Sequence, residues 1–279
     1  MHGRGDINEL LSANGLAPRR DLGQNFVADA NTVRRIARLA AVGANDRVVE
    51  IGAGLGSLTL ALAETGATVV AVEVDRGVVP VLRSITETIE NITVVEADAM
   101  TIDWNELLGP HDPSKPGWVL VANLPYNVAT PLVCDLLDGV PQIDRMLVMV
   151  QKEVAERFCA APRTDAYGAV SVKVAYWATS RIAGTVPASV FVPRPNVESA
   201  LADIRRRPEP AVASEVSATD LFHLVRTAFG QRRKMLRRSL QGTVEQSVFE
   251  AAGIDSQRRP EELSVTEWGA LAAAWRAAR

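Results

Sequence analysis

The tetrapeptide Asn123-Leu124-Pro125-Tyr126 directly follows an apolar run, residues 118–122, that predicts a buried strand. An amide, a rigid proline turn and an aromatic ring are thereby brought together at the carboxyl end of that strand. This combination suits one task, which is to grip the exocyclic amino group of a flat base while a methyl group is delivered to it. The tetrapeptide therefore indicates methylation of a base.

A glycine-rich segment predicts a binding site for a nucleotide-like cofactor. Gly52, Gly54 and Gly56 lie between a predicted strand and a predicted helix, where glycine allows a tight turn and close approach of the backbone to a ligand. Their spacing is Gly-x-Gly-x-Gly, whereas dinucleotide-binding proteins use Gly-x-Gly-x-x-Gly. A nicotinamide cofactor is therefore disfavoured without being excluded.

Acidic residues lie at the carboxyl ends of the next two predicted strands. Glu73 stands 21 residues after Gly52, where a carboxylate can accept hydrogen bonds from ribose hydroxyls. Asp98 follows the third strand and is placed to receive the amino group of an adenine. These strand ends meet at the crevice where open α/β sheets bind ligands. Upstream, the amides of Gln24 and Asn25 precede the first helix of this region and could close over the other end of the cofactor.

The elements that must position these residues alternate between strand and helix from about residue 30 to residue 160. Such alternation predicts a parallel sheet with crossover helices. The predicted strands are Arg47–Ile51, Thr68–Glu73, Ile92–Glu96, Trp118–Ala122 and Arg145–Val150. The predicted helices are Ala30–Ala41, Ser57–Thr65, Arg76–Ile85, Thr130–Leu137 and Lys152–Phe158.

Two further β-like runs, Val170–Ala178 and Glu198–Ile204, have no predicted helix between them. They predict an antiparallel pair at one edge of the sheet. A seven-stranded α/β sheet closed in this way is the Rossmann-like architecture of S-adenosylmethionine-dependent methyltransferases.

The composition changes near residue 205, where a proline-containing, polar stretch to Thr219 predicts a linker. We therefore expect a methyltransferase domain over residues 1–207, with an N-terminal arm at 1–20, and a small all-α domain over 208–279. Six of the 13 residues from 226 to 238 are basic. Arg226, Arg233 and Arg237 have the spacing of one helix face, although Gly230 offers a point at which that helix could break.

Composition excludes several classes of function. The net charge of −3 and the pI near 5.7 do not indicate nucleic-acid binding, so only the local clustering of arginine supports it. The two cysteines, Cys134 and Cys159, favour a reducing cytoplasm over a disulfide framework. We expect no membrane span, because no apolar run is long enough. We also expect no export signal, because residues 1–10 contain three charged residues where such a signal has an apolar core. The three histidines are scattered, so no metal site is predicted, and nothing demands an oligomer, so a monomer is expected.

Seven motifs occur in a fixed order between about residues 19 and 241. They are Gly-Gln-Asn-Phe (23–26), Glu-Ile-Gly-x-Gly-x-Gly (50–56), Val-Glu-Val-Asp (72–75), Ala-Asp-Ala (97–99), Asn-Leu-Pro-Tyr (123–126), Gln-Lys-Glu-Val-Ala-x-Arg (151–157) and Phe-Val-Pro-Arg-Pro-Asn-Val-Glu-Ser (191–199). The set resembles the rRNA adenine N6-dimethyltransferases, most closely the bacterial KsgA/RsmA type that acts on small-subunit rRNA.

This resemblance implies a cofactor, a substrate and roles for individual residues. The cofactor would be S-adenosylmethionine, and the substrate two neighbouring adenosines in a hairpin near the 3′ end of 16S rRNA in the small ribosomal subunit. The Asn123 side-chain oxygen and the Leu124 carbonyl would accept the N6 hydrogens, Pro125 would shape the turn, and Tyr126 and Phe191 would stack on opposite faces of the base.

Two further sets of residues follow from the same comparison. The expected cofactor contacts are Gln24, Asn25, Val27, Gly52, Gly54, Glu73, Asp98, Ala99 and Asn123. The expected RNA phosphate contacts are Arg19, Arg20, Arg226, Arg232, Arg233, Lys234, Arg237 and Arg238.

Other functions remain open on the sequence alone. A methylase of large-subunit rRNA would usually carry Gln-His-Phe where this chain has Gln24-Asn25-Phe26. An N6-adenine DNA methylase would carry Asn-Pro-Pro-Tyr or Asp-Pro-Pro-Tyr in place of Asn-Leu-Pro-Tyr. A ribosome-assembly factor whose binding matters more than catalysis is compatible with the sequence, but the intact Asn123 and Tyr126 favour retained catalysis. A nicotinamide oxidoreductase leaves Asn-Leu-Pro-Tyr unexplained.

Overall fold

The computed structural model describes all residues from 1 to 279, and the chain divides into two compact units. The sheet unit comprises Met1–Ala155 and Arg181–Arg205, and the helical unit comprises Glu156–Ser180 and Arg206–Arg279. The helical unit thus takes in residues 156–180 in addition to the C-terminal segment. The domain boundary at residue 207 stays a prediction.

Nine strands and twelve α-helices form the two units. The strands are β1 (Phe26–Val27), β2 (Arg47–Ile51), β3 (Thr68–Glu73), β4 (Ile92–Glu96), β5 (Trp118–Asn123), β6 (Ile143–Gln151), β7 (Ala178–Val186), β8 (Phe191–Val192) and β9 (Ser199–Arg206). The helices are α1 (Arg4–Ala13), α2 (Ala30–Ala40), α3 (Ser57–Ala63), α4 (Val79–Thr86), α5 (Trp104–Leu108), α6 (Ala129–Gly139), α7 (Lys152–Cys159), α8 (Ala169–Trp177), α9 (Ala218–Phe229), α10 (Leu236–Ser239), α11 (Gln246–Ala251) and α12 (Val265–Ala277).

Seven strands form the main sheet in the order β4-β3-β2-β5-β6-β9-β7, and β1 and β8 form a separate antiparallel pair. Strands β2 to β6 run parallel to one another, whereas β9 runs antiparallel to β6. The seven-stranded α/β architecture predicted from the sequence is confirmed. Central strands such as β5 are almost wholly buried, which explains why they read as continuous apolar runs.

The prediction of a strand at Val170–Ala178 is wrong, because residues 169–177 form helix α8. The edge strand is instead β7, which begins where that helix ends. The sequence Val170-Ser171-Val172-Lys173-Val174 alternates apolar and polar residues as a strand does, but Ser171 is buried and donates to the Arg157 carbonyl, so tertiary contacts outweigh the local pattern. Val172 and Tyr176 of α8 pack into the core of the helical unit, so the helix is apolar on most sides.

The helical unit packs α8, α9, α11 and α12 around a core that includes Leu221, Phe249 and Trp268. Ser217 and Ser264 cap the amino ends of α9 and α12 through their hydroxyls. Helix α9 ends at Phe229 with Gly230 as its cap, and α10 begins only at Leu236. None of the helices in the chain is both long enough and apolar enough to cross a membrane.

Candidate active site

A single cavity opens at the carboxyl ends of β2, β3 and β5 in the sheet unit. Its wall contains every residue predicted to contact the cofactor, together with Leu124, Pro125 and Tyr126 of the tetrapeptide. Those predicted cofactor residues are Gln24, Asn25, Val27, Gly52, Gly54, Glu73, Asp98, Ala99 and Asn123. The parallel sheet thus brings together residues that are separated by as much as a hundred positions in the sequence.

The glycine loop between β2 and α3 requires glycine for its conformation. Gly52, Gly54 and Gly56 have φ angles of 74°, 54° and 79°, which L-residues with a side chain rarely adopt. A Cβ atom on Gly54 would also lie 3.0 Å from the ring of Phe26. The loop therefore presents bare backbone to the cavity.

Glu73 joins this loop to the end of β3. Its carboxylate accepts hydrogen bonds from the backbone N–H groups of Gly54 at 2.7 Å, Asp75 at 2.9 Å and Val74 at 3.0 Å. Burial raises the pKa of the Glu73 carboxyl, and the three N–H donors oppose that rise. Besides facing the cavity, Glu73 therefore fixes the shape of the glycine loop.

Glu50 is a further acidic residue of the cavity wall, which the sequence analysis did not select. It is 2% exposed, and its Oε2 atom has no hydrogen-bond partner. Burial raises the pKa of the Glu50 carboxyl to about 8, and the nearby charge of Glu73 acts in the same direction. The available signal in the sequence was an acid between the apolar residues Val49 and Ile51 of β2, two positions before Gly52.

The segment before β1 is fastened to two strand ends. Gln24 accepts a hydrogen bond from the Arg19 N–H at 2.9 Å and donates to the Asp75 carboxylate at 2.7 Å. The Asn25 carbonyl accepts a hydrogen bond from Asn123 Nδ2 at 2.9 Å. These bonds hold residues 21–25 as part of the wall of the cavity, and their closure over the cofactor stays a prediction.

The Asn-Leu-Pro-Tyr turn leaves two oxygen acceptors without backbone donors. Since Asn123 Nδ2 donates to Asn25, the Oδ1 atom is the part of this amide that remains available. No backbone N–H donates to the Leu124 carbonyl, whereas the Pro125 carbonyl accepts from Val128 and Ala129 and so starts α6. The turn therefore offers two acceptors side by side at the end of β5.

Tyr126 and Phe191, which were both predicted to stack on the base, differ in burial. Tyr126 is half-buried and lines the cavity. Phe191 is fully buried in the apolar cluster that also contains Val27 and Val33, and it does not line the cavity. Its proposed place on the other face of the base needs correction, because its ring is already covered on all sides by the protein.

Two apolar residues of the cavity wall were also missed. Val74 and Met100 are 44% and 41% exposed, unusual values for large apolar side chains, and they follow β3 and β4. Together with Asp98 they give this end of the cavity an apolar surface beside an acceptor. Backbone glycines, buried acids and an apolar end suit a ligand that carries positive charge at one end and a flat ring at the other.

The basic residues of the helical unit do not share one helix face. Arg226 lies in the last turn of α9, Arg233 follows the break at Gly230, and Arg237 belongs to α10, so the predicted spacing loses its meaning. Arg232 is not free, since it binds the Glu261 carboxylate at 2.6 Å and the Asp165 carbonyl at 2.7 Å. The predicted basic residues that are exposed and form no ion pair are Arg226, Arg233, Lys234, Arg237 and Arg238.

The two predicted basic residues of the N-terminal arm also differ. Arg19 binds the carboxylate of Asp21 at 2.5 Å and lies 4.0 Å from that of Asp75, which ties it to the wall of the cavity. Arg20 is exposed and forms no ion pair. Only Arg20 of this pair is therefore available to an external anion.

Comparison with known proteins identifies the family. The ribosomal RNA adenine dimethylase family model matches residues 15–275. A ribosomal RNA small subunit methyltransferase A from Streptomyces avermitilis is 46% identical over 97% of this chain and 92% of its own length.

Two solved structures share the fold. A dimethyladenosine transferase from Plasmodium falciparum matches with a TM-score of 0.75 at 22% identity, over 89% of this chain and 96% of its own. The 23S rRNA methyltransferase ErmE matches with a TM-score of 0.66 at 25% identity, over 90% of this chain and 99% of its own. On the extent of the family match and of the sequence identity, the chain belongs to the ribosomal RNA adenine dimethylases.

Proposed function

We propose that this protein uses S-adenosylmethionine to dimethylate N6 of two adjacent adenosines in a hairpin near the 3′ end of 16S rRNA. The observation that carries the proposal is the pair of free acceptors at Asn123 and Leu124, on the wall of the cavity that also contains the glycine loop and Glu73. The small-subunit assignment is supported by relatives named for that activity.

The cavity fits S-adenosylmethionine, which when bound supplies an electrophilic methyl group on a positively charged sulfur. Glu73 faces the place of the ribose, and Asp98 with Val74 and Met100 offers an acceptor and an apolar surface for the adenine. The buried Glu50 lies next to the glycine loop and forms no ion pair, so a positively charged ligand in the cavity would favour the ionised form of its carboxyl. Gln24 and Asn25 complete the wall at the other end.

Asn123 and Leu124 make the substrate amine a better nucleophile. The N6 lone pair of adenine is delocalised into the ring, so the amine attacks poorly while it is planar. Acceptance of its two hydrogens by Asn123 Oδ1 and the Leu124 carbonyl favours the pyramidal geometry and aims the lone pair. Catalysis by these residues is therefore mainly alignment, and no general base is needed because the product ammonium loses its proton readily.

Tyr126 supplies the stacking surface for the target base. Its ring lines the cavity directly after the two acceptors, and base–aromatic stacking contributes about 1–3 kcal/mol. An adenine inside a helix cannot reach this cavity, so the target must be single-stranded or flipped out. The exposed, unpaired cations of the helical unit, and Arg20 of the sheet unit, would bind RNA phosphates.

The proposal is tested by methyl transfer from labelled S-adenosylmethionine to unmethylated small subunits, with large subunits and naked rRNA in parallel. N6-dimethyladenosine confined to 16S rRNA is the expected product, identified by nuclease digestion and mapping. Label on the large subunit alone would instead make this a large-subunit methylase. No transfer to any substrate despite tight particle binding would assign it to ribosome assembly.

The Asn123→Ala variant separates catalysis from binding. Removal of the acceptor should lower the single-turnover rate by about 100-fold to 1000-fold, as for other groups that act directly on the reacting atoms. Binding to small subunits, measured by sedimentation, should stay close to wild type. A variant that transfers methyl groups at the wild-type rate would remove Asn123 from the mechanism.

A further inference from the structure

The hydroxyl groups of Tyr126 and Ser199 lie 2.7 Å apart and form a hydrogen bond within the sheet unit. Tyr126 follows β5, Ser199 is the first residue of β9, and β6 lies between these two strands. In the sheet register Asn123 is level with Met149 and Ser199 with Gln151, so both partners lie at the carboxyl end of β6. The bond therefore reaches across one strand at the edge of the cavity.

The side-chain hydroxyl of Ser199 forms one hydrogen bond. The residue is fully buried, and its only side-chain hydrogen bond is the one to Tyr126. A buried hydroxyl without that partner would lose a hydrogen bond and gain no water in return. The phenol of Tyr126 is held in turn by a hydroxyl that the sheet keeps in place.

We propose that Ser199 is a positioning residue, which holds the ring of Tyr126 at the angle at which the target adenine stacks. This inference rests on the proposed function, because it deepens the role given there to Tyr126. The ring is fixed at one end by the backbone after Pro125 and at the other by the bond to β9. A ring held at both ends keeps one rotamer, whereas a ring held only by its backbone can swing away from the stacking position.

The same bond gives a role to the motif that runs from Phe191 to Ser199. Phe191, at its start, is buried and has no free face for a base. Ser199, at its end, contacts a residue of the cavity wall directly. The motif thus acts on the site through the hydroxyl at its carboxyl end, and the aromatic ring at its start serves the core.

The test is a double-mutant cycle of Ser199→Ala and Tyr126→Phe, assayed by methyl transfer to small subunits. Each single variant should lower kcat about tenfold, and the double variant should lose no more than either single one, since both changes remove the same bond. The affinity for S-adenosylmethionine, measured by calorimetry, should remain at the wild-type value. Ser199→Thr, which keeps a hydroxyl, should recover part of the lost kcat.

Matched controls remove hydroxyl bonds of the same kind from the helical unit. Tyr167 donates to the Leu263 carbonyl at 2.8 Å, and the buried Ser171 donates to the Arg157 carbonyl at 2.6 Å. Tyr167→Phe and Ser171→Ala should lower the melting temperature without lowering kcat at a temperature where they stay folded.

Several outcomes would overturn the inference. They are losses that add in the double variant, a wild-type kcat in Tyr126→Phe, or a Ser199→Ala variant that is destabilised but fully active. A second readout does not depend on activity: NMR of 13C-labelled tyrosine should show faster ring motion at residue 126 in Ser199→Ala than in wild type. Unchanged motion would also contradict the inference, whereas a wild-type protein that lacks transfer activity would refute only the proposed function.

Discussion

In the sheet unit, Glu50 and Glu73 lie buried at strand ends without an ion-pair partner, whereas in the helical unit Glu267 binds Arg258 at 2.6 Å. The pKa values move in opposite directions as a result. Burial raises the pKa of Glu50 to about 8 and also raises that of Glu73, while Arg258 lowers the pKa of Glu267 to about 2. The carboxyl group of glutamate is thus buried without a cation in the sheet unit and paired with a cation in the helical unit.

This difference separates a ligand site from a structural contact. A buried carboxyl without a cation costs folding free energy, so its presence needs a reason outside the fold. A positively charged ligand in the cavity would supply that reason for Glu50, and ribose hydroxyls that donate to the carboxylate would supply it for Glu73. Arg258 already pairs with the carboxylate of Glu267. Glu267 can therefore stabilise α12 and needs no ligand.

The largest expected effect concerns the pH dependence that Glu50 creates. Its folded-state pKa lies above the unfolded value near 4.5, so its contribution to stability is complete below about pH 4.5 and is lost as pH rises toward 8. Without cofactor, the free energy of unfolding should fall by about 3 kcal/mol more between pH 5 and pH 8 in wild type than in Glu50→Gln. Urea unfolding at several pH values measures this difference.

The control for this experiment is the exposed Glu87 on the same unit. Glu87→Gln should keep the wild-type pH profile, because the Glu87 side chain stays in contact with water in the folded chain. Equal slopes in Glu50→Gln and wild type would mean that the Glu50 carboxyl is solvated or paired, and the contrast between the two units would fail.

The next effect in size is the loss of cofactor affinity in Glu73→Gln. A hydrogen bond that involves a charged group contributes about 1.5–3 kcal/mol, so the affinity for S-adenosylmethionine should fall about 10-fold to 100-fold. Glu96 provides a close control, since it is level with Glu73 on the adjacent strand but is exposed and does not line the cavity. Calorimetry should find Glu96→Gln indistinguishable from wild type, and a comparable loss in both variants would argue against a specific contact.

A smaller effect extends the same distinction to the cations of the helical unit. Arg233 and Arg237 are exposed without a carboxylate partner, whereas Arg232 is bound to Glu261. Arg233→Glu/Arg237→Glu should weaken small-subunit binding about tenfold at moderate salt and reduce its salt dependence, with cofactor affinity unchanged. Arg34→Glu/Arg38→Glu, a pair of exposed arginines on α2, serves as the control. Equal affinity of the first double variant and wild type at matched salt would remove these residues from the RNA interface.

How far the sequence predicts this structure depends on the element concerned. Strands β2, β3 and β4 match their predicted ends because each is a short run rich in β-branched residues, which favour the extended conformation. The residues predicted at the strand ends to contact the cofactor line one cavity because the ends of parallel strands meet at one edge of the sheet. Residues 169–177 form a helix although residues 170–174 alternate as in a strand, because packing of α8 into the core of the helical unit outweighs the local pattern.

The features that were not predicted from the sequence all depend on contacts between distant parts of the chain. The burial of Phe191 and the missing partner of Glu50 follow from how other elements cover them. The hydrogen bond between Tyr126 and Ser199 depends on the strand order β5-β6-β9, which brings the two residues to opposite sides of β6. The sequence pattern does not specify that order. A helix phase can be read from spacing only while the helix continues, and α9 ends before Arg233.

The smallest expected effect is the change in the free energy of unfolding when Glu267, which pairs with Arg258, is replaced. The Glu267 carboxylate accepts hydrogen bonds from the Ser264 N–H and hydroxyl at the start of α12, as well as from Arg258. Because the side chain is partly exposed, Glu267→Gln should lower the free energy of unfolding at pH 7 by only about 1 kcal/mol. The folded pKa lies below the unfolded one, so this stabilisation is present above about pH 4.5 and disappears as pH falls toward 2.

The fluorescence of Trp268 and Trp275, both on α12, makes unfolding of this region visible in the complete chain. The exposed Glu215 is the control, and Glu215→Gln should match wild type at every pH. The difference between Glu267→Gln and wild type should shrink as pH falls toward 2, because protonation then removes the charge of Glu267 in the folded as well as in the unfolded wild-type chain. A deficit of the same size at pH 7 and pH 2 would show that Glu267 acts through packing alone, and charge pairing would no longer distinguish the helical unit from the sheet unit.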